Sequence, residues 1–200
     1  FQDTTRRYSK QCATCNNMLV DSHCHLQAAA FAVDRQQVIR SCAEQGMRCV
    51  LAGDSLADNQ EAVALAQQYP DVLTTTVGLH PQYVAEHDWH PDELQKLLQQ
   101  PGVAGVGEVG LDYGRQRDAT ASTRRRQWDA LRQLLAIAQS AALPVVLHCR
   151  DAYEDLFSIL EDFPRIPTML HTFAGTAQQA ERFLEHGSFL SFSGVVTFTN

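Results

Sequence analysis

Residues 20–26 read VDSHCHL, and the construction of this stretch decides how the rest of the chain is understood. Met18, Leu19 and Val20 begin a short apolar run with the character of a buried strand. Side chains on a strand alternate between faces, so His23 and His25 point one way and Cys24 the other. Two neighbouring imidazoles are a poor choice for a core, because they repel when protonated and lose solvation when buried. A divalent cation resolves both problems by accepting a lone pair from each ring. Paired histidines also occur on wet strand ends without any ligand, so this stretch alone leaves both readings open.

The same grammar recurs down the chain. Apolar runs ending in ligand-type residues alternate with helical patterns. Strands are expected over 18–26, 47–54, 72–81, 102–112, 144–151, 167–175 and 188–194. Helices are expected over 34–46, 57–70, 90–101, 122–142, 152–163 and 176–187. Gly46 reads as a helix stop, Pro70 ends the second helix, and Pro91 with the acids behind it starts the third. Repeated βα units imply parallel strands joined by right-handed crossovers. The sheet could be open and doubly wound, or closed as a barrel. No Gly-rich phosphate fingerprint follows the first strand, which weakens a dinucleotide fold. Polar residues then decide between them. His23 and His25, Asp54, His80, Glu108 and Asp112, His148 and Arg150, and His171 all fall at C-terminal strand ends. His87, His90 and His186 fall in loops or helix ends. In a (β/α)8 barrel the C-terminal strand ends ring one mouth, where catalytic groups gather. An α/β, TIM-type (β/α)8 barrel is therefore expected. Its His/carboxylate donors suit Zn²⁺, Mn²⁺ or Mg²⁺.

Bulk properties bound the function. The chain has 200 residues, 44% of them apolar, and a formal net charge of −7. That length suits one domain. The acidic balance argues against indiscriminate binding of polyanions, though not against a nucleic acid held by cations in a cleft. No run approaches the roughly 18 apolar residues of a membrane span, and the first 17 residues lack the apolar segment of a signal peptide. Of the six cysteines, Cys24, Cys49 and Cys149 fall in strands and Cys42 in a helix, a pattern that suits a reducing, cytoplasmic compartment. Cys12 and Cys15 form a C-x-x-C without a second pair at zinc-ribbon spacing. They lie in a polar leader, 1–17, expected to stand apart from a hydrolase domain over 18–200. Met18 would make a natural start, and the leader could be upstream translated sequence.

Five motifs in order, DSHCHL, GLHP, GEVGLDY, LHCRDA and LHTFAG, together resemble the TatD family of metal-dependent hydrolases, within the amidohydrolase-like barrel superfamily. The resemblance runs from Met18 to the end. It implies two divalent metal ions, Mg²⁺ or Zn²⁺, with Mn²⁺ an option. By it, His23 and His25 bind one metal, Glu108 bridges, and His148 and His171 complete the second site. Arg150 and His80 line the pocket and contact a phosphate, and Glu108 and Arg150 carry the catalysis. The implied activity is that of a deoxyribonuclease or phosphodiesterase acting on DNA ends or single strands, with no membrane partner and a monomer as the full-length form. Gln82 follows GLHP where many relatives have a second His. The family continues to an eighth strand whose aspartate ligates metal and serves as general base. This chain stops at GVVTFTN, so a missing C-terminal unit is expected.

Plainer roles are assigned alongside. Asp21 could orient an imidazole or form a turn. Asp54 and Asp112 are expected to cap or brace loops, and Arg124, Arg125 and Arg126 to form a solvated helix start. Cys24 and Cys149 are expected to pack against outer helices. The competing enzyme reading is an amidohydrolase attacking a C–N or ester bond. That class often uses a carbamylated lysine on strand four, where this chain has Glu108. Lys10 and Lys96, the two lysines present, fall at no strand end. A third reading is a fragment that binds metal without turnover.

Overall fold

The structure, a computed structural model, describes residues 18–84, 91–114 and 120–198. The leader with Cys12 and Cys15, Lys10, His87 and His90 lie outside the described residues. Seven strands run as β1 (Val20–Cys24), β2 (Arg48–Ala52), β3 (Leu73–Val77), β4 (Val103–Asp112), β5 (Val145–Arg150), β6 (Thr168–Leu170) and β7 (Phe189–Leu190). The helices are α1 (Arg35–Glu44), α2 (Leu56–Gln68), α3 (Pro81–Val84), α4 (Pro91–Leu98), α5 (Ala121–Ala141), α6 (Tyr153–Glu161) and α7 (Ala177–Glu185), with 3-10 turns at Ala29–Phe31 and Gly194–Thr197.

Every neighbouring pair of strands is parallel, and the sheet order is β1-β2-β3-β4-β5-β6-β7. This order separates the two closures the sequence left in play. A doubly wound sheet reverses direction at a switch point, whereas here each crossover steps the same way. Helices then cover one face and the sheet curls around the other, as in a TIM-type barrel.

The core divides in two. The larger part joins β3 to β6 with α5, α6 and α7, through Val77, Val109, Leu147, Leu156 and Phe183 among others. The smaller part lies where α1 and α2 cover β1 and β2, around Ile39, Leu51, Ala62 and Leu73. On α5 the buried stripe is Gln127, Ala130, Leu131, Leu134, Leu135 and Ala138, the i, i+3/i+4 spacing of a helix facing a sheet. Each buried Leu contributes roughly 1.5–3 kcal/mol. Packing therefore outweighs anything the polar first turn of α5 supplies. That turn is capped by Thr120, whose side chain accepts from the Thr123 N–H.

All seven strands are shorter than their apolar runs suggest, β3, β6 and β7 most of all. β3 ends at Val77 because both backbone groups of Gly78 are taken by the buried Asn59 amide: Nδ2 donates to Gly78 O at 2.7 Å, and Oδ1 accepts from Gly78 N–H at 3.1 Å. Gly78 also runs so close to β4 that a Cβ there would meet the Gly107 backbone at 2.7 Å. His80 therefore sits on a loop, and Pro81, the last residue of the expected third strand, opens the short α3. β6 ends at Leu170, and Thr172 turns the chain with a φ of 47° just past His171. β7 is two residues long, with the chain turning away after Leu190. All seven strands occur where expected. What changes is the position of His25, Asp54, His80 and His171, which leave the strand ends for the loops above them, and the start of β1, where Met18, Leu19 and Val20 are exposed rather than buried.

Candidate metal centre

The C-terminal ends of β1, β4 and β5 and the loops after β2, β3 and β6 surround a cleft of about 700 Å³. At its floor stands Glu108, 5% exposed. Its two oxygens face different neighbours. Oε2 lies 3.1 Å from His23 Nε2 and 4.0 Å from His25 Nε2. Oε1 lies 2.8 Å from His148 Nδ1 and 3.6 Å from His80 Nε2. The ligand atoms of His23, Glu108 and His171 fall within 4.8 Å of one another, as do those of His80, Glu108 and His148. Glu108 belongs to both groups. His25, more exposed, stands with Nε2 3.1 Å from that of His23.

Strand geometry produces this convergence. β4 places Glu108, Gly110 and Asp112 on one face by its two-residue period. At Gly110 the two backbones run so close that a Cβ would meet the His148 carbonyl oxygen at 1.9 Å. β5 can therefore press its His148 against β4. The Gly107–Glu108 peptide bond is cis.

The charge states differ across the cleft. Burial alone would raise the Glu108 carboxyl, but hydrogen bonds from His148 and His23 outweigh it and hold the group well below the usual range. Burial works against protonation of His148. Asp112 Oδ2 at 3.0 Å from Nε2, together with Glu108, overcomes this and pushes the imidazole up to about 9. His171 goes the other way: burial and the stacked His23 ring, 3.4 Å between centroids, bring it down to about 4. At neutral pH His171 is thus a neutral imidazole with one nitrogen lone pair, and its Nε2 lies 2.6 Å from the Thr172 hydroxyl. Asp54, on the cleft wall, is raised by burial and by Asp58.

A divalent cation fits this donor set. His23 Nδ1 and His171 Nδ1 are buried without a hydrogen-bond partner among the described residues. The Nε2 atoms of His23 and His25 face each other across a gap that one shared proton or one cation would fill. Neutral imidazole with carboxylate is the ligand chemistry of Zn²⁺ and Mn²⁺.

The other expected residues are placed as follows. Arg150 ends β5, is exposed, lines the cleft, and pairs with no carboxylate among the described residues. His80 Nδ1 accepts the Gln82 N–H at 3.2 Å, which puts a neutral ring's proton on Nε2, facing Glu108. Gln82 itself lines the cleft. Asp21 lies within β1 and its Oδ1 accepts the His23 N–H at 3.1 Å. Arg124 lies over the Tyr113 ring at 4.4 Å, and Arg125 pairs with Asp129 one turn along α5. Cys24 packs with Cys42 and Cys49 under α1, where burial pushes the Cys24 and Cys49 thiols up to about 12. Cys149 joins the larger core and also reaches the cleft wall. The sequence reading gave Asp112 a loop-bracing role. It does hold Gly114 N–H at 3.0 Å, but its other oxygen grips His148. Its position four residues after Glu108, on the same strand face, is the signal. Gln127 and Asn59 also serve the cleft, and the signal for each is a polar residue at an apolar position of a helix stripe.

A singly wound parallel barrel sheet with shared imidazole–carboxylate groups at its C-terminal rim defines a hydrolase of the metal-dependent TIM-barrel class. The sequence profile of the TatD related DNase family matches residues 20–200. The chain belongs to that family. A 3'-5' ssDNA/RNA exonuclease TatD of Erwinia tasmaniensis is 35% identical over 182 residues, which cover 88% of this chain and 68% of that protein. The uncharacterized metal-dependent hydrolase YabD of Bacillus subtilis is 33% identical over 189 residues, covering 92% and 71%. Among solved structures, the TatD homologue YJJV from Escherichia coli superimposes with a TM-score of 0.76 at 29% identity, over 90% of this chain and 70% of that one. A TatD family hydrolase from Entamoeba histolytica, at 23% identity and TM-score 0.77, shares the fold. Among the described residues no helix is long and apolar enough to cross a membrane.

Proposed function

We propose that the protein is a two-metal phosphodiesterase that removes nucleotides from single-stranded nucleic-acid ends. The observation that carries this reading is the division of one buried carboxylate between two imidazole groups. Oε2 of Glu108 faces His23 and His25, and Oε1 faces His148 and His80. In this reading His23 and His25 hold one divalent cation, His148 the other, and Glu108 both; His171, which the resemblance assigns to the second site beside His148, groups instead with His23 and Glu108 and joins the first. Zn²⁺, Mn²⁺ and Mg²⁺ are the candidate ions. Bound there, the ions would lower the pKa of a water and neutralise charge on the phosphate.

The chain's own side chains supply the remainder. Arg150 offers a planar guanidinium fork to the phosphate from the cleft wall. His80 donates its Nε2 proton to a phosphate oxygen, the tautomer being held by the Gln82 N–H on Nδ1. Asp112 would keep the proton on Nε2 of His148 once a cation took the place of the proton on Nδ1, the nitrogen that faces the shared carboxylate. The net charge of −7 leaves the cleft, not a basic surface, to hold the substrate. DNA or RNA as substrate and removal from 3' ends are taken from the activity named for the Erwinia relative.

The test combines zinc and manganese titration of this chain with digestion of single-stranded oligonucleotides blocked at either end. Two metal equivalents and digestion from a free 3' end support the reading. Arg150→Ala should weaken KM by about 10- to 100-fold, the worth of one charged hydrogen-bonding group, with metal binding unchanged. Failure to bind two equivalents, or hydrolysis of amides or lactones with oligonucleotides left intact, overturns it.

A further inference from the structure

Gln127 is 1% exposed, in the middle of the apolar stripe of α5. A polar side chain there costs desolvation unless all its groups are bonded. Its bonds go to the end of β4 and the start of α3. Oε1 accepts the Asp112 N–H at 3.1 Å, and Nε2 donates to the Asp112 carbonyl at 3.2 Å and to the Pro81 carbonyl at 3.4 Å. One amide therefore closes a two-point clamp on the backbone of Asp112 and reaches the residue after His80. Asp112 is itself only 2% exposed, and its carboxylate spans Gly114 N–H and His148 Nε2, each at 3.0 Å. The sequence of contacts from α5 to the cleft is Gln127, Asp112, His148, Glu108.

We propose that Gln127 is a positioning residue that acts through Asp112 to fix which nitrogen of His148 faces Glu108. The His148 ring has a carboxylate on each side, 2.8 Å from Nδ1 and 3.0 Å from Nε2. Swivelling Asp112 away would free the ring to turn over or to present Nε2 to the cleft. Asp112 ends β4 and is followed by the bend at Gly114, so the strand ladder holds its backbone on one side only. The Gln127 clamp supplies the other side. A ligand imidazole held through its far nitrogen by a fixed carboxylate keeps its tautomer and its aim. Only the His148 half of the centre depends on this clamp, since His23 and His171 come from β1 and the loop after β6. The inference rests on the two-metal reading for its effect on metal affinity, but not for the ring geometry.

The experiment therefore has two readouts on the full chain. The first is NMR of the metal-free protein, with imidazole nitrogens labelled. Wild type should show a downfield, slowly exchanging His148 Nε2–H, sheltered by Asp112. In Gln127→Met, which keeps length and removes every hydrogen bond, that resonance should broaden or vanish. The second is zinc calorimetry. Gln127→Met should weaken one zinc equivalent by about 10- to 100-fold and leave the other unchanged, the range usual for groups that orient a metal ligand. Asp112→Asn, which keeps shape and the Gly114 contact, should do the same and covers the case in which Gln127→Met does not fold. A wild-type protein lacking the sheltered His148 resonance overturns the proposal, as does a folded Gln127→Met that keeps it, or equal effects on both zinc equivalents. If the protein takes up no zinc, the two-metal reading fails, and the resonance alone still decides the role of Gln127.

Discussion

At the scale of single residues, Glu108 is the group on which most of the cleft depends. It is the buried acceptor for two imidazole groups, and removing its charge leaves His23 without its carboxylate partner and His148 with Asp112 alone. Glu108→Gln should destabilise the metal-free fold by about 3–5 kcal/mol, the cost of breaking a buried pair from one side, read as a drop in urea unfolding free energy. It should also abolish uptake of two metal equivalents. The histidines set the pH dependence of the metal-free protein. His148 sits at about 9 in the fold against an ordinary 6.5. Its contribution to stability is complete below pH 6.5 and is lost as pH rises through 9. His171 sits at about 4 against the same 6.5, so its contribution is complete above pH 6.5 and is lost as pH falls through 4. Stability in chelator should therefore peak near pH 6.5 and decline on both sides, checked by urea unfolding over about pH 5 to 10. Divalent metal should rescue the alkaline arm first, because the cation competes with protons for the same nitrogens.

At the scale of elements, the strand and helix pattern was legible because apolar runs and helical stripes alternate with clear stops. The residues that gather at the cleft were legible because ligand-type side chains close so many of those runs. Less legible was where each strand ends. Nothing in VLTTTVGLHP marks Val77 as the last strand residue. That boundary comes from Asn59, nineteen positions before Gly78, which claims the backbone groups of Gly78 for itself. The Asp112–His148 contact was hidden in the same way, since it needs the β4–β5 register to be seen. Gln127 could have been found from sequence, as a polar residue one turn before Ala130 and Leu131 on a stripe that is otherwise apolar. Gly110 marks the point where two elements are allowed to touch. Its φ of 151° and its contact with the His148 carbonyl leave no room for a side chain. Gly110→Ala should cost about 3 kcal/mol or more, since β4 and β5 must separate where their packing is closest. It should also weaken metal binding more than stability alone explains, because the shift falls between Glu108 and Asp112. Thermal melting with and without zinc would show this as a smaller zinc-induced rise in Tm than wild type.

At the scale of the whole molecule, the sheet has two margins. Among the described residues β1 pairs only with β2, and β7 only with β6. Both margins carry apolar side chains in solvent: Met18, Leu19 and Val20 are 54–59% exposed on one, and Phe189 is 60% and Phe192 63% exposed on the other. A closed barrel has no such margins, and an exposed apolar edge is a template for pairing with another chain. The metal centre is partly insulated from this, since Glu108 and His148 lie on the central strands β4 and β5. His23 and His25 instead belong to the β1 margin. This 200-residue chain should therefore self-associate at micromolar concentration, seen by light scattering as a mass above that of one chain. Leu19→Lys and Phe189→Lys place a charge on each margin and should shift the protein toward monomer. Association should also favour zinc binding at the His23 group, because pairing along β1 would steady the strand that carries it. A chain that stays monomeric at every concentration would show that these margins do not pair.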